Sequence, residues 1–169
     1  WGETTPVDEA AAGVPTYCAT YDHATGKLGE KAFMAYAPPA NDVHNAPAIC
    51  LDSEGYLHVL TGAHGAPFHY LRSLKPNDAY GGWADPVDVL TAGSISDNTN
   101  ADGIGRQTYI SLLCDPQDTL HIAYRQWRSR VDDYHGENLY GALSYQTKPK
   151  DGPWSEARPA VVPPVSGYS

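Results

Sequence analysis

The sequence contains an internal repeat, and this repeat limits the fold more than any other feature does. Residues 51–59, Leu-Asp-Ser-Glu-Gly-Tyr-Leu-His-Val, align with residues 114–122, Cys-Asp-Pro-Gln-Asp-Thr-Leu-His-Ile, at an offset of 63 residues (114 minus 51). Trp83 and Trp154 occupy similar places downstream, each just before a segment rich in Pro and Val. A recurring unit of about four strands is typical of a propeller blade.

The two copies of the motif have the same local interpretation. Asp52 and Asp115 each cap a tight turn through the side chain, and the Gly or Asp three residues later tolerates a positive φ. In the strand that follows, Leu and Val or Ile alternate with a His, which places apolar side chains on one face and the His on the other. Because His58 and His121 hold the same repeat position, we interpret both as structural.

Short apolar segments separated by Gly, Pro, Asn and Asp predict strands along the chain, and no segment has the apolar stripe of an amphipathic helix. A long loop is expected at 91–107, which is rich in Gly, Ser, Asn and Asp. The first two predicted strands form a hairpin about a turn at 23–27. The predicted strands lie at 16–22, 31–37, 46–51, 56–62, 68–73, 86–90, 109–114, 119–126 and 139–146.

The sequence therefore predicts an all-β chain with the β-propeller fold and four-stranded blades. Blade-like repeats fall around 16–90 and 105–165, so residues 1–169 hold about two and a half blades. Because closure shields the edges of propeller blades, a propeller of this size does not close, and we expect a partial propeller domain from a longer chain. The alternative is a small β-sandwich with a duplicated hairpin.

Composition and charge exclude two classes of partner. Lys and Arg total 11 against 20 Asp and Glu, a net charge of -9, and an acidic chain without a basic stripe is unsuited to nucleic acid. No apolar run approaches the ~20 residues of a membrane helix. The three cysteines, Cys18, Cys50 and Cys114, lack the spacing of metal ligands, and we interpret them as small apolar residues within strands.

Four polar residues fall at corresponding ends of the predicted strands. His44 precedes the first strand of the first repeat, His64 follows the second strand of that hairpin, Tyr109 begins a strand of the second repeat, and Arg125 lies near the end of its return strand. Since the strand ends of neighbouring blades converge on one face, we expect the four to share a pocket. Three of them also have a structural alternative. His44 would cap a turn, Tyr109 would be an ordinary aromatic residue of a strand, and Arg125 would be a cation on the surface.

Several motifs resemble those of the BNR-repeat propellers, which include the ulvan lyases and related polysaccharide lyases. They are Asp-Val-His-Asn-Ala-Pro-Ala-Ile at 42–49, Asp-x-x-Gly-Tyr-Leu-His-Val at 52–59, His64, Phe-His-Tyr-Leu-Arg-Ser at 68–73, and Tyr-Asp-x-x-Thr-Gly-Lys-Leu at 21–28. The resemblance covers most of residues 16–160 and implies a seven-bladed propeller. The Asp box of the sialidases, Ser-x-Asp-x-Gly-x-Thr-Trp, is absent from the sequence.

The resemblance implies an active site and a reaction. Ulvan lyases of this type use two His, a Tyr and an Arg, which correspond here to His44, His64, Tyr109 and Arg125. The implied reaction is β-elimination at a uronic acid, in which a base removes the C5 proton and the glycosidic oxygen leaves from C4. Arg125 would neutralise the substrate carboxylate with help from His44. Tyr109 and His64 would supply the base and the acid, and the sequence does not divide these roles between them.

The implied partner is an acidic, ulvan-like polysaccharide, which we expect Asn45, Arg106 and Trp127 to help bind. Three arginines within 125–130, with Arg106 upstream, form a positive cluster that makes such a substrate compatible with an acidic chain. The alternative is that these arginines pair with the acidic residues at 132–137. A polymer of this kind cannot enter a cell, so we expect a secreted or periplasmic protein.

Two other functions stay open. A glycoside hydrolase on a sialidase-like propeller needs two facing carboxylates, for which the loops offer only Asp42 and Asp102. A non-catalytic carbohydrate-binding propeller would use Tyr124, Trp83 and Trp127 as platforms on which sugars stack. The lyase chemistry requires no metal or other cofactor. A structural Ca²⁺ or Zn²⁺ can be accommodated, although no ligand spacing in the sequence requires one.

Overall fold

In a computed structural model, the described part of the chain forms twelve β-strands and no helix, which confirms the all-β prediction. The described residues are 1–3, 13–38, 42–62, 67–89, 106–132 and 136–161. None of them forms a helix long and apolar enough to span a membrane. The strands are β1 (Val14–Cys18), β2 (Tyr21–Asp22), β3 (Lys27–Leu28), β4 (Ala32–Ala37), β5 (Ala48–Leu51), β6 (Leu57–Thr61), β7 (Phe68–Arg72), β8 (Val87–Val89), β9 (Arg106–Cys114), β10 (Leu120–Asp132), β11 (Gly136–Lys148) and β12 (Arg158–Val161).

Two antiparallel sheets of four strands correspond to the two repeats. Their strand orders are β5-β6-β7-β8 and β9-β10-β11-β12, so each sheet is a simple meander in which consecutive strands pair. The first strands of the two sheets, β5 and β9, are neighbours in space. Four-stranded meanders that approach through their first strands have the arrangement of propeller blades, as the repeat predicts.

The hairpin of β10 and β11 is longer than the sequence predicts. Each strand has 13 residues, and they pair from Leu120 and Lys148 to Asp132 and Gly136. Residues 127–132 are mostly polar or charged, so no apolar alternation marks them as a strand. Most of the loop predicted at 91–107 lies outside the described residues, although its last two residues belong to β9.

The single hairpin predicted over 16–37 is in fact two nested hairpins. β1 pairs with β4, and the short strands β2 and β3 pair between them. Asp22 caps the inner turn, because its carboxylate accepts hydrogen bonds from the Ala24 N–H at 2.8 Å and from Thr25 Oγ1 at 2.7 Å. The strand predicted at 16–22 is therefore divided, with β1 ending before this second turn begins.

The sheet of β5 to β8 is buried on both faces. One core cluster joins β4 to β6 and β7 and consists of Met34, Ala35, Val59 and Leu71. A second cluster joins the two four-stranded sheets and consists of Leu60, Phe68, Val89, Ile122 and Tyr124. Val59 and Leu60 are consecutive in β6 and fully buried, so they point to opposite faces and into different clusters. A sheet packed between two others in this way matches the stacking of propeller blades.

The repeat motif of the first sheet builds a turn and a hydrogen-bonded side-chain unit. Asp52 Oδ1 accepts hydrogen bonds from the backbone N–H groups of Glu54 at 3.0 Å and Tyr56 at 2.8 Å. The other carboxylate oxygen lies 3.1 Å from His58 Nε2, and His58 Nδ1 lies 2.6 Å from Tyr70 Oη. Burial lowers the pKa of His58, although the hydrogen bond with Asp52 opposes this shift.

The second sheet repeats the unit with the same atoms. His121 Nε2 lies 3.0 Å from Asp115 Oδ2, and His121 Nδ1 lies 2.5 Å from Tyr145 Oη. The fourth turn position has a positive φ in both copies, 88° at Gly55 and 59° at Asp118. The geometry supports the interpretation of both repeat histidines as structural. The Tyr of each unit lies on the next strand and outside the aligned motif, so the sequence pattern did not show it.

Candidate functional site

Three of the predicted site residues come together, although Tyr109 and Arg125 lie within their strands and not at the strand ends that the sequence predicts. The ring centroids of His44 and Tyr109 are 5.7 Å apart, with an angle of 65° between the planes. The guanidinium carbon of Arg125 lies 4.6 Å from the centroid of the Tyr109 ring. His44 lies in the loop before β5, Tyr109 in β9 and Arg125 in β10. One phenol ring therefore contacts an imidazole and a guanidinium from two different elements.

A β-bulge in β9 places Tyr109. Thr108 pairs with Arg125, but the next described pair is Ser111 with Ala123, so one residue of β10 faces two residues of β9. Tyr109 has a φ of 59°, a conformation that costs a non-glycine residue ~1–3 kcal/mol and is concentrated at functional sites. A bulge redirects side chains. Here the Tyr109 side chain is 56% exposed, whereas Thr108 beside it is fully buried.

Asp42 orients His44. A single oxygen of Asp42, Oδ1, lies 2.8 Å from the backbone N of His44 and 2.8 Å from His44 Nδ1. The Asp42 side chain is only 13% exposed, so this contact lies beneath the site and fixes the position of the imidazole. A turn cap is the structural alternative for His44. The cap is present, but the Asp42 carboxylate provides it by accepting from the His44 backbone N–H.

Asn45 holds the loop that carries His44. Its side chain is 3% exposed, and its Nδ2 donates a hydrogen bond to the carbonyl oxygen of Ala37, 3.3 Å away. Its backbone N–H also donates to the carbonyl oxygen of Asp42 at 3.2 Å. The structure thus gives Asn45 a role in the fold, and its role in substrate binding stays a prediction.

The other predicted site residues are only partly described. His64 lies outside the described residues. Arg106 and Trp127 are paired across the β9 and β10 backbones, three residues before Tyr109 and two after Arg125, so the topology puts them at the same end of the sheet. Their side chains lie outside the described part of the chain.

Buried glutamines support the site from below. Gln107 Oε1 accepts a hydrogen bond from the backbone N–H of Phe68 at 3.0 Å, which ties β9 to the neighbouring sheet two residues before Tyr109. Gln126, next to Arg125, accepts a hydrogen bond from Ser144 Oγ at 2.8 Å. The sequence pattern does not mark these residues. The positions two residues away are Gly105 and Tyr109 for Gln107, and Tyr124 and Arg128 for Gln126, so neither lies in an apolar alternation.

Two residues considered for the alternative functions, Tyr124 and Asp42, do not have the surroundings that those functions require. Tyr124 is fully buried and donates a hydrogen bond to Gln146 Oε1 at 2.7 Å. Its ring packs edge-on against Phe68, so it is not a platform for stacking sugars, and that expectation is wrong. Asp42, considered as one hydrolase carboxylate, contacts His44, and Asp102 lies outside the described residues.

A known protein family matches most of the chain. The family model described as a BNR repeat-containing family member matches residues 15–151, which is more than half of the chain. The chain belongs to this BNR repeat-containing family. No curated protein matches it.

Solved structures show the same fold for this BNR repeat-containing chain. It is similar to a PL25 ulvan lyase from a new family of polysaccharide lyases, with a TM-score of 0.58 and 17% sequence identity. It is equally similar to a structure of a PL25 ulvan lyase bound to -[GlcA(1-4)Rha3S]-. Each match covers 85% of this chain and 32% of the lyase chain. The fold is that of a β-propeller. This chain spans about one third of the length of those lyases.

Proposed function

We propose that this protein is a polysaccharide lyase that cleaves a uronic-acid-containing, ulvan-like polysaccharide by β-elimination. The observation that carries the proposal is the contact of Tyr109 with both His44 and Arg125. These residues combine groups that can move a proton with a cation that can hold a carboxylate. The strained bulge at Tyr109 supports the proposal further, because strain of this kind is concentrated at functional sites.

Arg125 provides the charge that the elimination requires. The C5 proton of a uronic acid is weakly acidic while the neighbouring carboxylate is ionised, because its removal develops negative charge next to an existing one. A guanidinium stays protonated and binds a carboxylate through two parallel N–H donors. In this role Arg125 stabilises the enolate-like charge of the transition state.

Tyr109 moves the proton in the proposed mechanism. Its exposed ring lies beside the Arg125 cation, so a sugar whose carboxylate is held by Arg125 lies next to the phenol. Tyr109 as its phenolate, or His64 as its neutral imidazole, takes the C5 proton, the C4–O bond breaks, and the leaving oxygen receives a proton from an acid at the site. A double bond forms between C4 and C5. His44, oriented by Asp42, assists Arg125 as a hydrogen-bond donor to the carboxylate.

The comparisons support the substrate class. A structural neighbour is bound to -[GlcA(1-4)Rha3S]-, which contains a uronate and a rhamnose 3-sulfate, and an acidic polymer of this type is the proposed partner. Because a polymer is degraded outside the cell, the proposal includes secretion or export to the periplasm. The proposed chemistry requires no cofactor.

The test is direct. The intact protein is mixed with ulvan and with other uronate polymers, and the ultraviolet absorbance of the unsaturated product is followed. We expect an increase with ulvan, and a loss of at least a hundredfold in kcat/KM for Tyr109→Phe, because general acid–base groups contribute ~10²–10⁴ to the rate. Tyr21→Phe, at an exposed tyrosine of β2, is the matched control and keeps full activity.

Two results separate the proposal from its alternatives. Binding of a uronate polymer with no absorbance increase on any polymer would show a carbohydrate-binding propeller instead of a lyase. New reducing ends without the unsaturated product would show a glycoside hydrolase. Full activity of Tyr109→Phe would leave the enzyme class intact but contradict the mechanism.

A further inference from the structure

A cleft lies between the two four-stranded sheets, at the end opposite the candidate site. It has a volume of about 220 Å³, and its lining includes Asp52, His58, Tyr70, Arg72, Lys148 and Lys150. The turns at 52–55 and 115–118 close this end of the sheets. From Tyr109 to the turn after Cys114, the strand covers five residues, or ~17 Å at the usual rise of a β-strand. The cleft is therefore separate from the candidate site.

Each sheet contributes one cation to this cleft. Arg72, from β7, stacks on the ring of Tyr56 with its guanidinium carbon 3.5 Å from the ring centroid, and its closest carboxylate contact is 3.9 Å long, to Asp52. Lys148, from β11, donates only to the carbonyl oxygens at 149 and 150, at 3.4 and 3.2 Å. Within the described part of the chain, no carboxylate lies within 4.0 Å of its Nζ. Arg72 thus has only a long ion pair with Asp52, and Lys148 has the charge of Asp151 nearby but no carboxylate in direct contact.

The two cations are close enough to repel each other. Burial lowers the pKa of Lys148, and although Asp151 opposes the shift, the charge of Arg72 adds to it. Two half-buried cations that face one cleft destabilise each other unless an anion lies between them. The pair thus has the charge arrangement of a site that binds a negative group.

Three of the four carboxylates that line the cleft are engaged in close contacts, and the fourth, Asp151, lies near Lys148. Asp118 accepts hydrogen bonds from the Ser53 N–H and Ser53 Oγ, both at 2.7 Å, and lies 3.0 Å from Lys150 Nζ. Lys150 also pairs with Glu54 at 2.9 Å. Asp52 is held by His58 and by two backbone N–H groups. These contacts satisfy Asp52, Glu54 and Asp118 locally, so Arg72 and Lys148 are the two cations of the lining without a carboxylate contact shorter than 3.9 Å.

The fold does not require these two cations. Arg72 pairs with the repeat histidine of the first sheet, and the residue paired with His121 in the second sheet is Thr147. Lys148 follows Thr147, and the residue that follows Arg72 is Ser73. The position of Arg72 is therefore occupied by the uncharged Thr147 in the second sheet, and the position of Lys148 by the uncharged Ser73 in the first sheet. The cations are additions to the repeat at this cleft between the two sheets.

We propose that Arg72 and Lys148 bind a single oxyanion, a sulfate or a carboxylate, in the cleft between the two sheets. The guanidinium offers parallel N–H donors and the ammonium a compact charge, which together suit a tetrahedral or planar oxyanion. A volume of about 220 Å³ holds such a group or one sugar unit that carries it. The source is either a free inorganic anion or an acidic sugar, and this site stands independently of the proposed lyase function.

The experiment measures binding and not activity. The intact protein is titrated with sodium sulfate, with glucuronate and, as a neutral sugar, with rhamnose, at constant ionic strength, and the heat of binding is recorded. We expect saturable binding of sulfate, glucuronate or both, and none of rhamnose. Arg72→Thr, which installs the residue of the other repeat, and Lys148→Gln each weaken binding at least tenfold. Lys27→Gln removes an exposed cation of β3 far from the cleft and changes affinity less than twofold.

The two anions distinguish the sources. Tighter binding of glucuronate assigns the cleft to an acidic sugar, and tighter binding of sulfate assigns it to an inorganic anion or a sulfate ester. Thermal unfolding of each variant checks that it is folded before it is titrated. The proposal is overturned if neither anion binds saturably, or if folded Arg72→Thr and Lys148→Gln bind as the unmodified protein does.

Discussion

Arg125 stacks its guanidinium on the ring of Tyr109, and the two residues come from adjacent strands that are out of register at this point. Without the bulge, the Tyr109 side chain would follow the ordinary alternation of β9, and its backbone would not adopt the left-handed conformation. The contact thus depends on a conformation that the backbone adopts at a cost. Strain maintained by the surrounding sheet allows Arg125 and His44 to reach the same phenol.

The left-handed conformation at position 109 leads to a prediction on stability. Val is normally favoured over Asn in strands, because β-branched side chains suit extended backbone. At a φ of 59° the order reverses, since Asn tolerates this region and a β-branched residue does not. We expect Tyr109→Asn to exceed Tyr109→Val by ~1 kcal/mol in the free energy of unfolding, measured by denaturant titration. Greater stability of the Val variant would contradict the bulge.

Asp42 is expected to act as a positioning residue for His44. In Asp42→Asn, the side-chain oxygen still caps the turn by accepting from the His44 N–H, but the negative charge beside Nδ1 is lost. We expect kcat/KM on a uronate polymer to fall ~10-fold or more, as for other orienting partners of histidine, with a changed pH profile and little change in Tm. Asp42→Ala also removes the cap, so it lowers both activity and Tm.

Much of the fold follows from the sequence because the repeat is local. Asp52 and Asp115 build their turns with neighbours two and four residues away, so the pattern Asp-x-x-Gly/Asp is sufficient to place them. The alternation after each turn gives β6 and β10, and the four-stranded sheets follow from the position of the repeats. The repeat topology predicts that His44, Tyr109 and Arg125 lie on one face, although Tyr109 and Arg125 are inside β9 and β10 and their contact also depends on the bulge.

Other features depend on contacts that the sequence does not show. The bulge at Tyr109 depends on the register between β9 and β10, and no residue type in β9 marks it, because Gly or Asn would be the usual sign of a positive φ. The nested hairpin depends on Asp22, whose cap divides a segment that is otherwise suited to one strand. Tyr70 and Tyr145 join the repeat units across the sheet, at separations of 12 and 24 residues from their histidines.

The two Asp-His-Tyr units provide a matched pair of stability tests. Tyr70→Phe removes the hydroxyl that contacts His58, whose side chain is 9% exposed, so the buried ring nitrogen loses its partner. Tyr145→Phe does the same at His121, which is 25% exposed and within reach of water. We expect Tyr70→Phe to cost ~1–3 kcal/mol of unfolding free energy and Tyr145→Phe distinctly less. Equal losses in denaturant titrations would show that burial does not determine the contribution.

Asp118 joins the two four-stranded sheets in a pH-dependent way. Hydrogen bonds from the backbone and side chain of Ser53, then from Lys150, lower the pKa of Asp118 from 3.8 to about 2. As the pH falls, the unfolded chain therefore takes up this proton before the folded chain does. The stabilising effect is fully present above about pH 4 and is lost as the pH falls toward 2.

The variant Asp118→Asn tests this hydrogen-bonded contact between the sheets. It lacks the titrating charge, so we expect a lower Tm than that of the unmodified protein at pH 7, and a difference that shrinks as the pH is lowered from 4 to 2. Thermal unfolding across this range measures the difference, and Asp85→Asn, at an exposed carboxylate, controls for the loss of one charge. A Tm difference that stays constant down to pH 2 would show that the Ser53 contact does not depend on the ionised carboxylate.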